Sequence, residues 1–250
     1  MALQEEFKSQ GDFLFKNRSY IPLIVLLVAL IQIYFQANKG LDSHWPFSYN
    51  GLEITGIVVA FIGFFIRVIT IGQSAKNTSG RNTSEGQVAD HLNTSGIYST
   101  VRHPLYVGNF FMWLGPALMT QNLWFVLAFI LFYWVYYERI MYAEEQFLRG
   151  KFKEAYLNWS KDVPAFVPKL SAYRSSDLDF TWKKVIKKEK NGFAAIFIVF
   201  AVFRAVHDYG IYGKATFEAW IYTAAIVGVI IYLIIKYTRK FTHLFDEDDR

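Results

Sequence analysis

Apolar positions in this chain fall in long uncharged runs, not in strand-like alternation. Ser19 to Asn38 carries no Asp, Glu, Lys or Arg, and Leu52 to Ile71 is broken only by Glu53 and Arg67. Leu105 to Tyr137 is again uncharged, but Gly115-Pro116 and Gln121-Asn122 divide it into the two arms of a helical hairpin, the second arm running to about Tyr142. Two further runs follow, Phe193 to Val206 and Phe217 to Ile235. A helix needs about 20 mostly apolar residues to cross the hydrocarbon of a bilayer. The pattern therefore predicts an all-α, polytopic integral membrane protein with about six transmembrane helices, including a short hairpin. A buried helix in a soluble core is the alternative for any one run, but not for so many together. The first run is too long for a signal peptide's apolar core and no small-residue cleavage site follows it, so it is expected to remain in the protein.

Between the runs lie segments of other character. Residues 1–18 form an amphipathic stretch ahead of the first span. Residues 72–100 are rich in Ser, Thr, Asn and Gly, composing either a linker or a headgroup-binding loop. Residues 144–161 predict an amphipathic helix that Val163 to Pro168 stops. The expected organisation is a 1–18 N-terminal segment, a 19–170 membrane core with the site, and a 171–250 portion holding a basic linker, two helices and an acidic tail.

Charge sets the expected orientation. Of the 26 Lys and Arg, 22 fall on the face that carries both termini, the 72–104 loop and the 138–191 segment, and only Lys39 and Lys214 on the other. Lys and Arg concentrate on the cytoplasmic side of membrane proteins, so both termini are expected there, at the inner membrane if the source is bacterial. The sequons at Asn77, Asn82 and Asn93 are then on the unglycosylated side. The net charge of +5 suits anionic lipid headgroups and not nucleic acid. Lys183, Lys184, Lys187, Lys188 and Lys190 are the densest patch, with a plain stop-transfer flank as the alternative. There is no cysteine, and the five histidines lack metal-ligand spacing, so neither thiol chemistry nor a metal centre is expected.

Two clusters carry candidate chemistry. Gly96-Ile-Tyr-Ser-Thr-Val-Arg-His-Pro-Leu-Tyr-Val-Gly108 places Pro104 in the first turn of the hairpin's first helix, with Arg102 and His103 just before it. That helix start is suited to an anion. Tyr137 to Leu148 closes the hairpin and holds Glu138, Glu144 and Glu145. Acids at a membrane boundary are costly unless paired or functional; the plain alternative is a Glu145–Arg149 pair at i, i+4. The hairpin brings the clusters to one face, where a mixed-charge ligand fits. S-adenosylmethionine is such a ligand; a nicotinamide cofactor lacks its glycine-rich cradle here. Elsewhere, Arg204 and Asp208 are spaced for a local ion pair, and Arg67 for snorkelling to the interface.

Gly96-x-Tyr98-x3-Arg102-His103-Pro104-x-Tyr106-x-Gly108, then Glu144-Glu145-x2-Leu148-x3-Phe152-x3-Tyr156, then Val163-Pro164-x3-Pro168 resembles the isoprenylcysteine carboxyl methyltransferase and phospholipid methyltransferase superfamily over about residues 52–170. The resemblance implies an S-adenosylmethionine-dependent methyltransferase. It would act on a membrane lipid or lipid-linked substrate at the cytoplasmic face, methylating a carboxylate, phosphate or amine. It places cofactor contacts at Gly96, Tyr98, His103, Pro104, Tyr106, Gly108 and Glu144 or Glu145. Arg102 and Arg139 would meet the acceptor's anionic headgroup or shape the site, and Glu144 or Glu145 would accept a proton from an amine. Lys153 stands where many relatives have Gly, and Trp159 where they often have Tyr; both are taken as packing or surface positions. An NADPH-dependent lipid or sterol reductase and a non-catalytic transporter or assembly factor are the competing function classes.

Overall fold

A computed structural model describes residues 2–40, 48–75, 78, 81–83, 86–217 and 220–245. The Asn77 sequon and the acidic tail beyond residue 245 lie outside them. The helices are α1 (Leu3–Asn17), α2 (Ile21–Asn38), α3 (Tyr49–Gly72), α4 (Pro104–Leu118), α5 (Leu123–Ser160), α6 (Trp182–Tyr212) and α7 (Trp220–Phe241). The 72–100 segment contains a short antiparallel pair, β1 (Arg81–Thr83) and β2 (Gly86–Val88). Among the described residues the fold is all-α but for this pair.

Local chemistry sets the helix limits. The Ser48 hydroxyl accepts from Gly51 N at 3.2 Å to cap α3, and Asn122 Oδ1 accepts from Phe125 N at 3.0 Å to cap α5. Pro104 opens α4 at its first turn, and Gly213 ends α6 in the left-handed region at φ 67°. Two expected boundaries shift. The helix expected over 144–161 is the continuation of the hairpin's second arm, because nothing between Tyr142 and Phe152 breaks the hydrogen-bond ladder; the break comes at Lys153, with φ 47° and ψ −121°. The span expected over 193–206 lies inside α6, which begins at Trp182 and takes the lysine-rich stretch into the helix.

Among the described residues five helices, α2, α3, α5, α6 and α7, are long and apolar enough to cross a membrane. The hairpin arm α4 is shorter, at 15 residues. Leu23, Ile24, Leu27 and Val28 on α2 and Ile226, Val227, Ile230 and Ile234 on α7 stand exposed. Such a band is costly in water and suited to lipid. This is a polytopic integral membrane protein.

Among the described residues the two larger of four buried apolar clusters hold the bundle. One joins α2, α3, α6 and α7 around Ile33, Ala60, Phe200, Phe203 and Ile221. The other gathers Tyr106, Phe129, Tyr133, Tyr136, Tyr137 and Ile140 of the hairpin with Phe15 of α1. Between α3 and α4 the backbones nearly touch. A Cβ on Gly56 would lie 2.7 Å from the Gly115 carbonyl oxygen, and one on Gly63 would collide with that of Gly108. Small residues at matched heights allow this approach, and packing of this kind drives helix association in lipid. The crossing fixes the height of Pro104 to Gly108 against α3.

Candidate functional site

The site begins where the chain turns into α4. Residues 100–103 run alongside the Val163 to Pro168 strap: Arg102 N donates to Pro164 O at 2.9 Å, His103 N to Ala165 O at 3.2 Å, and Lys169 N to Thr100 O at 2.9 Å. The strap thus does more than stop a helix. It fixes the backbone of the two basic residues, and Phe166 pins it by packing on Phe110, Tyr133 and Trp134.

From that backbone the side chains reach α5. Arg102 Nε donates to Glu145 Oε1 at 2.9 Å, and its Nη1 donates to the carbonyls of Ser160 and Val163, each at 2.9 Å. His103 bridges both acids, with Nε2 3.0 Å from Glu145 Oε1 and Nδ1 3.4 Å from Glu144 Oε2. Tyr106 OH donates to Glu144 Oε2 at 2.9 Å, and Tyr133 OH donates to the Tyr106 carbonyl at 2.6 Å. Burial by itself would depress the His103 imidazole, but the hydrogen bonds and charges of Glu144 and Glu145 outweigh it and hold its pKa raised to about 9. The ring is then an imidazolium at neutral pH and donates from both nitrogens. Glu145 pairs with Arg102 and His103, which supersedes the local partner Arg149.

Above this cluster opens a cleft. Tyr98, Arg102, His103, Pro104, Tyr106 and Glu144 line it, six of the residues expected at the site. Its far wall is Leu148 and Trp159, and its roof comes from the polar loop through Thr78, Ala89, His91, Leu92 and Asn93. Trp159 is therefore not a plain packing or surface position: its Nε1 donates to the Tyr98 carbonyl at 3.2 Å. Composition marks the loop and the sequon pattern marks Asn93, but neither signal points to a cleft roof.

Three expected site residues are placed otherwise. Gly108 packs on α3, where an added Cβ would sit 2.6 Å from Arg67 Cγ, so this glycine makes room for Arg67. Gly96, at φ 60°, bridges to Arg174 and has its Cα side against Gln73. Arg139 turns onto α1. Its Nη1 meets Glu138 Oε2 at 2.5 Å, its Nε donates to Gln10 at 3.3 Å, and its guanidinium lies 3.6 Å from the Phe7 ring centroid.

Other polar groups that stood alone in sequence also find partners. Arg67 does not snorkel. It forms a bidentate pair with Glu189 of α6, Nε to Oε2 at 2.9 Å and Nη2 to Oε1 at 2.5 Å, and donates to Asn109 Oδ1. Lys184, from the lysine patch, is buried and donates to Ser74 Oγ at 3.0 Å and to the Ala75 carbonyl at 3.1 Å, at the root of the roof loop. At the opposite end of the bundle Arg204 Nε meets Asp208 Oδ1 at 3.2 Å, the expected local pair, and also reaches Glu53 on α3 at 3.2 Å. Among the described residues no group of three or more His, Asp or Glu converges as metal ligands.

Comparison with known proteins completes the picture. No solved structure gives a significant match. The chain is 27% identical to a cobalt-zinc-cadmium resistance protein of Cupriavidus metallidurans, over 82% of this chain and 89% of the relative. A match that long has to take in α3 to most of α6, so α6 is not peculiar to this chain. A nickel-cobalt-cadmium resistance protein of Alcaligenes xylosoxydans xylosoxydans is 30% identical over 66% of this chain and 70% of its own. Protein-S-isoprenylcysteine O-methyltransferase B of Arabidopsis thaliana is 33% identical over 61% of this chain and 74% of its own. The phospholipid methyltransferase family model matches residues 52–155, from α3 through Glu144 and Glu145. Most of the residues that line the cleft thus lie in the stretch shared with methyltransferases, and the chain belongs to the phospholipid methyltransferase family, as a membrane methyltransferase.

Proposed function

We propose that the protein transfers a methyl group from S-adenosylmethionine to a membrane lipid or lipid-linked acceptor, with the cleft on the cytoplasmic face of the membrane. The observation that carries this reading is the meeting of His103 and Glu144, 3.4 Å apart, on the wall of the cleft. The donor set suits the cofactor. Glu144 offers a carboxylate to its cationic groups, the Arg102 guanidinium offers N–H donors to its carboxylate, and Tyr98 and Trp159 offer aromatic faces to its adenine. Orientation rests on the 22 basic residues of the cleft side against two on the other.

S-adenosylmethionine supplies, when bound, a methyl group activated by its sulfonium. The chain's own residues then have a positioning task. The Val163 to Pro168 strap and Glu145 lock Arg102 and His103. Tyr106 orients Glu144, and the roof loop with Trp159 excludes water. A carboxylate or phosphate acceptor is already anionic at neutral pH and needs no base. An amine acceptor would give its proton to Glu144, which lines the cleft, not to Glu145, which is engaged by Arg102 and His103.

Calorimetry on protein purified in detergent tests the reading. S-adenosylmethionine and S-adenosylhomocysteine bind, and NADPH does not. Absence of binding at millimolar S-adenosylmethionine, or stabilisation by NADPH alone, overturns it.

A further inference from the structure

The segment between α5 and α6 carries apolar side chains that the bundle does not use. Val167 is 70% exposed, Leu170 77%, Tyr173 56% and Trp182 64%, and Leu178 and Phe180 are exposed as well. A contiguous stretch so rich in bare apolar side chains is costly in water and marks a surface that something covers. The backbone aligns part of it. Leu170–Ala172 forms a single 3-10 turn, and Tyr173 N donates to Leu170 O at 3.1 Å. Side chains three residues apart eclipse in such a turn, so Leu170 and Tyr173 share one side.

Both ends of the segment are tied to features already described. At its far end it meets two membrane-crossing helices. Phe180 packs on Gly72, the last residue of α3, Thr181 N donates to Gly72 O at 3.0 Å, and Trp182 opens α6. The end of α3 that it meets is lipid-facing, with Phe65 and Ile69 exposed. At its near end it is the strap itself: Val167 belongs to the strap, and Lys169 N donates to Thr100 O beside the strap's bonds to Arg102 and His103. Exposed Lys169, Arg174 and Lys183 are interleaved with the apolar residues, against Asp177 and Asp179, and Lys187 and Lys188 follow on α6. Tyr and Trp rings among Lys and Arg are the composition of a membrane–water boundary. The long basic side chains can lay their stems on apolar surface and hold their charge at headgroup height.

We infer that Val167 to Trp182 docks into the headgroup layer of an anionic bilayer and that this mooring, through the strap, holds Arg102 in its donor-binding position. The occupant is the membrane and not a protein partner, because the surface continues the lipid-facing end of α3 and its basic side chains complement anionic headgroups. Donor affinity then depends on the anionic lipid beside the cleft. That dependence rests on the methyl-transfer reading above; the docking does not.

The chain has no cysteine, so a spin label on one introduced cysteine reports one position. Leu170→Cys tests the docking, with Lys151→Cys as comparison. Lys151 is exposed and stands about 42 Å along α5 from Leu123, beyond a hydrocarbon layer of about 30 Å. In nanodiscs of phosphatidylcholine mixed with phosphatidylglycerol, the Leu170 label collides mainly with oxygen dissolved in the bilayer, and the Lys151 label mainly with a water-soluble nickel chelate. Calorimetry with S-adenosylmethionine tests the coupling. The native protein binds it about fivefold more tightly in those discs than in phosphatidylcholine alone, the worth of one basic residue at an anionic surface. In the Lys169→Gln, Arg174→Gln double variant the affinity is the same in both discs and equals the native value in phosphatidylcholine. A Leu170 label as open to the nickel chelate as the Lys151 label, the result a protein-docking surface would give, overturns the inference. So does a native affinity indifferent to phosphatidylglycerol, or a lipid dependence kept in the double variant. Absent donor binding in both discs removes the methyl-transfer reading instead, and the label then decides the docking.

Discussion

Arg67 on α3 and Glu189 on α6 share two hydrogen bonds across 122 residues of sequence, with the Glu189 side chain 3% exposed. The pair joins a helix inside the family-matched region to one beyond it. Through Asn109, which Arg67 also holds, it reaches Tyr137 in the hairpin core.

Breaking this pair from one side leaves a buried charge alone, which costs about 3–5 kcal/mol. Glu189→Ala is therefore expected to lower the melting temperature sharply, whereas Glu189→Ala with Arg67→Met recovers much of the loss. Thermal unfolding of the two variants in one detergent checks this; equal destabilisation by both would show that the pair is not a coupled unit.

Stability should also fall with pH through His103. Its pKa is about 9 in the folded protein against an ordinary value of 6.5. A group more basic when folded takes up protons on folding, so its contribution is complete below pH 6.5 and is lost as pH rises through about 9. The full contribution is about 3 kcal/mol. The melting-temperature gap between native protein and His103→Gln is expected to be constant below pH 6 and to narrow toward pH 9.5. A gap that widens with pH would contradict the imidazolium bridge.

Lys153 sits exposed at φ 47° and ψ −121°, a backbone conformation that favours glycine. Such strain costs on the order of 1–3 kcal/mol. Lys153→Gly is expected to recover about 1 kcal/mol of it, after the added freedom of the unfolded chain is counted, and to raise the melting temperature by a few degrees. Lys153→Val is expected to lower it. The kink also aims the segment that carries Trp159, so the glycine variant should keep the Tyr98–Trp159 contact and its donor affinity.

The bundle was legible because lipid imposes a simple rule: each crossing helix must be mostly apolar over about 20 residues, and Ser19 to Asn38 shows that without any tertiary knowledge. The meeting of His103 with the two glutamates was legible too, because a helical hairpin returns its far end to its starting face. Arg139 could have been set aside by rotation alone. It lies five residues before Glu144, about 140° around the helix at 3.6 residues per turn, and so faces α1 and not the cleft. The Arg67–Glu189 pair was not legible, since nothing local links positions so far apart. Nor was the burial of Lys184 within a run of lysines, where composition shows charge but not which member turns inward. Lys153 hid for another reason. Its signal is a backbone angle, visible in sequence only as a lysine where relatives carry glycine.

The hairpin arm α4 has one more consequence. Fifteen residues rise about 22 Å, and the hydrocarbon layer is about 30 Å thick. Alone it falls short of crossing, so it meets both headgroup layers only if the bilayer thins beside it. Thinning at the end that carries Pro104 would lower phosphates and glycerol backbones toward Tyr106 and Glu144 and shorten the path of a lipid acceptor to the cleft.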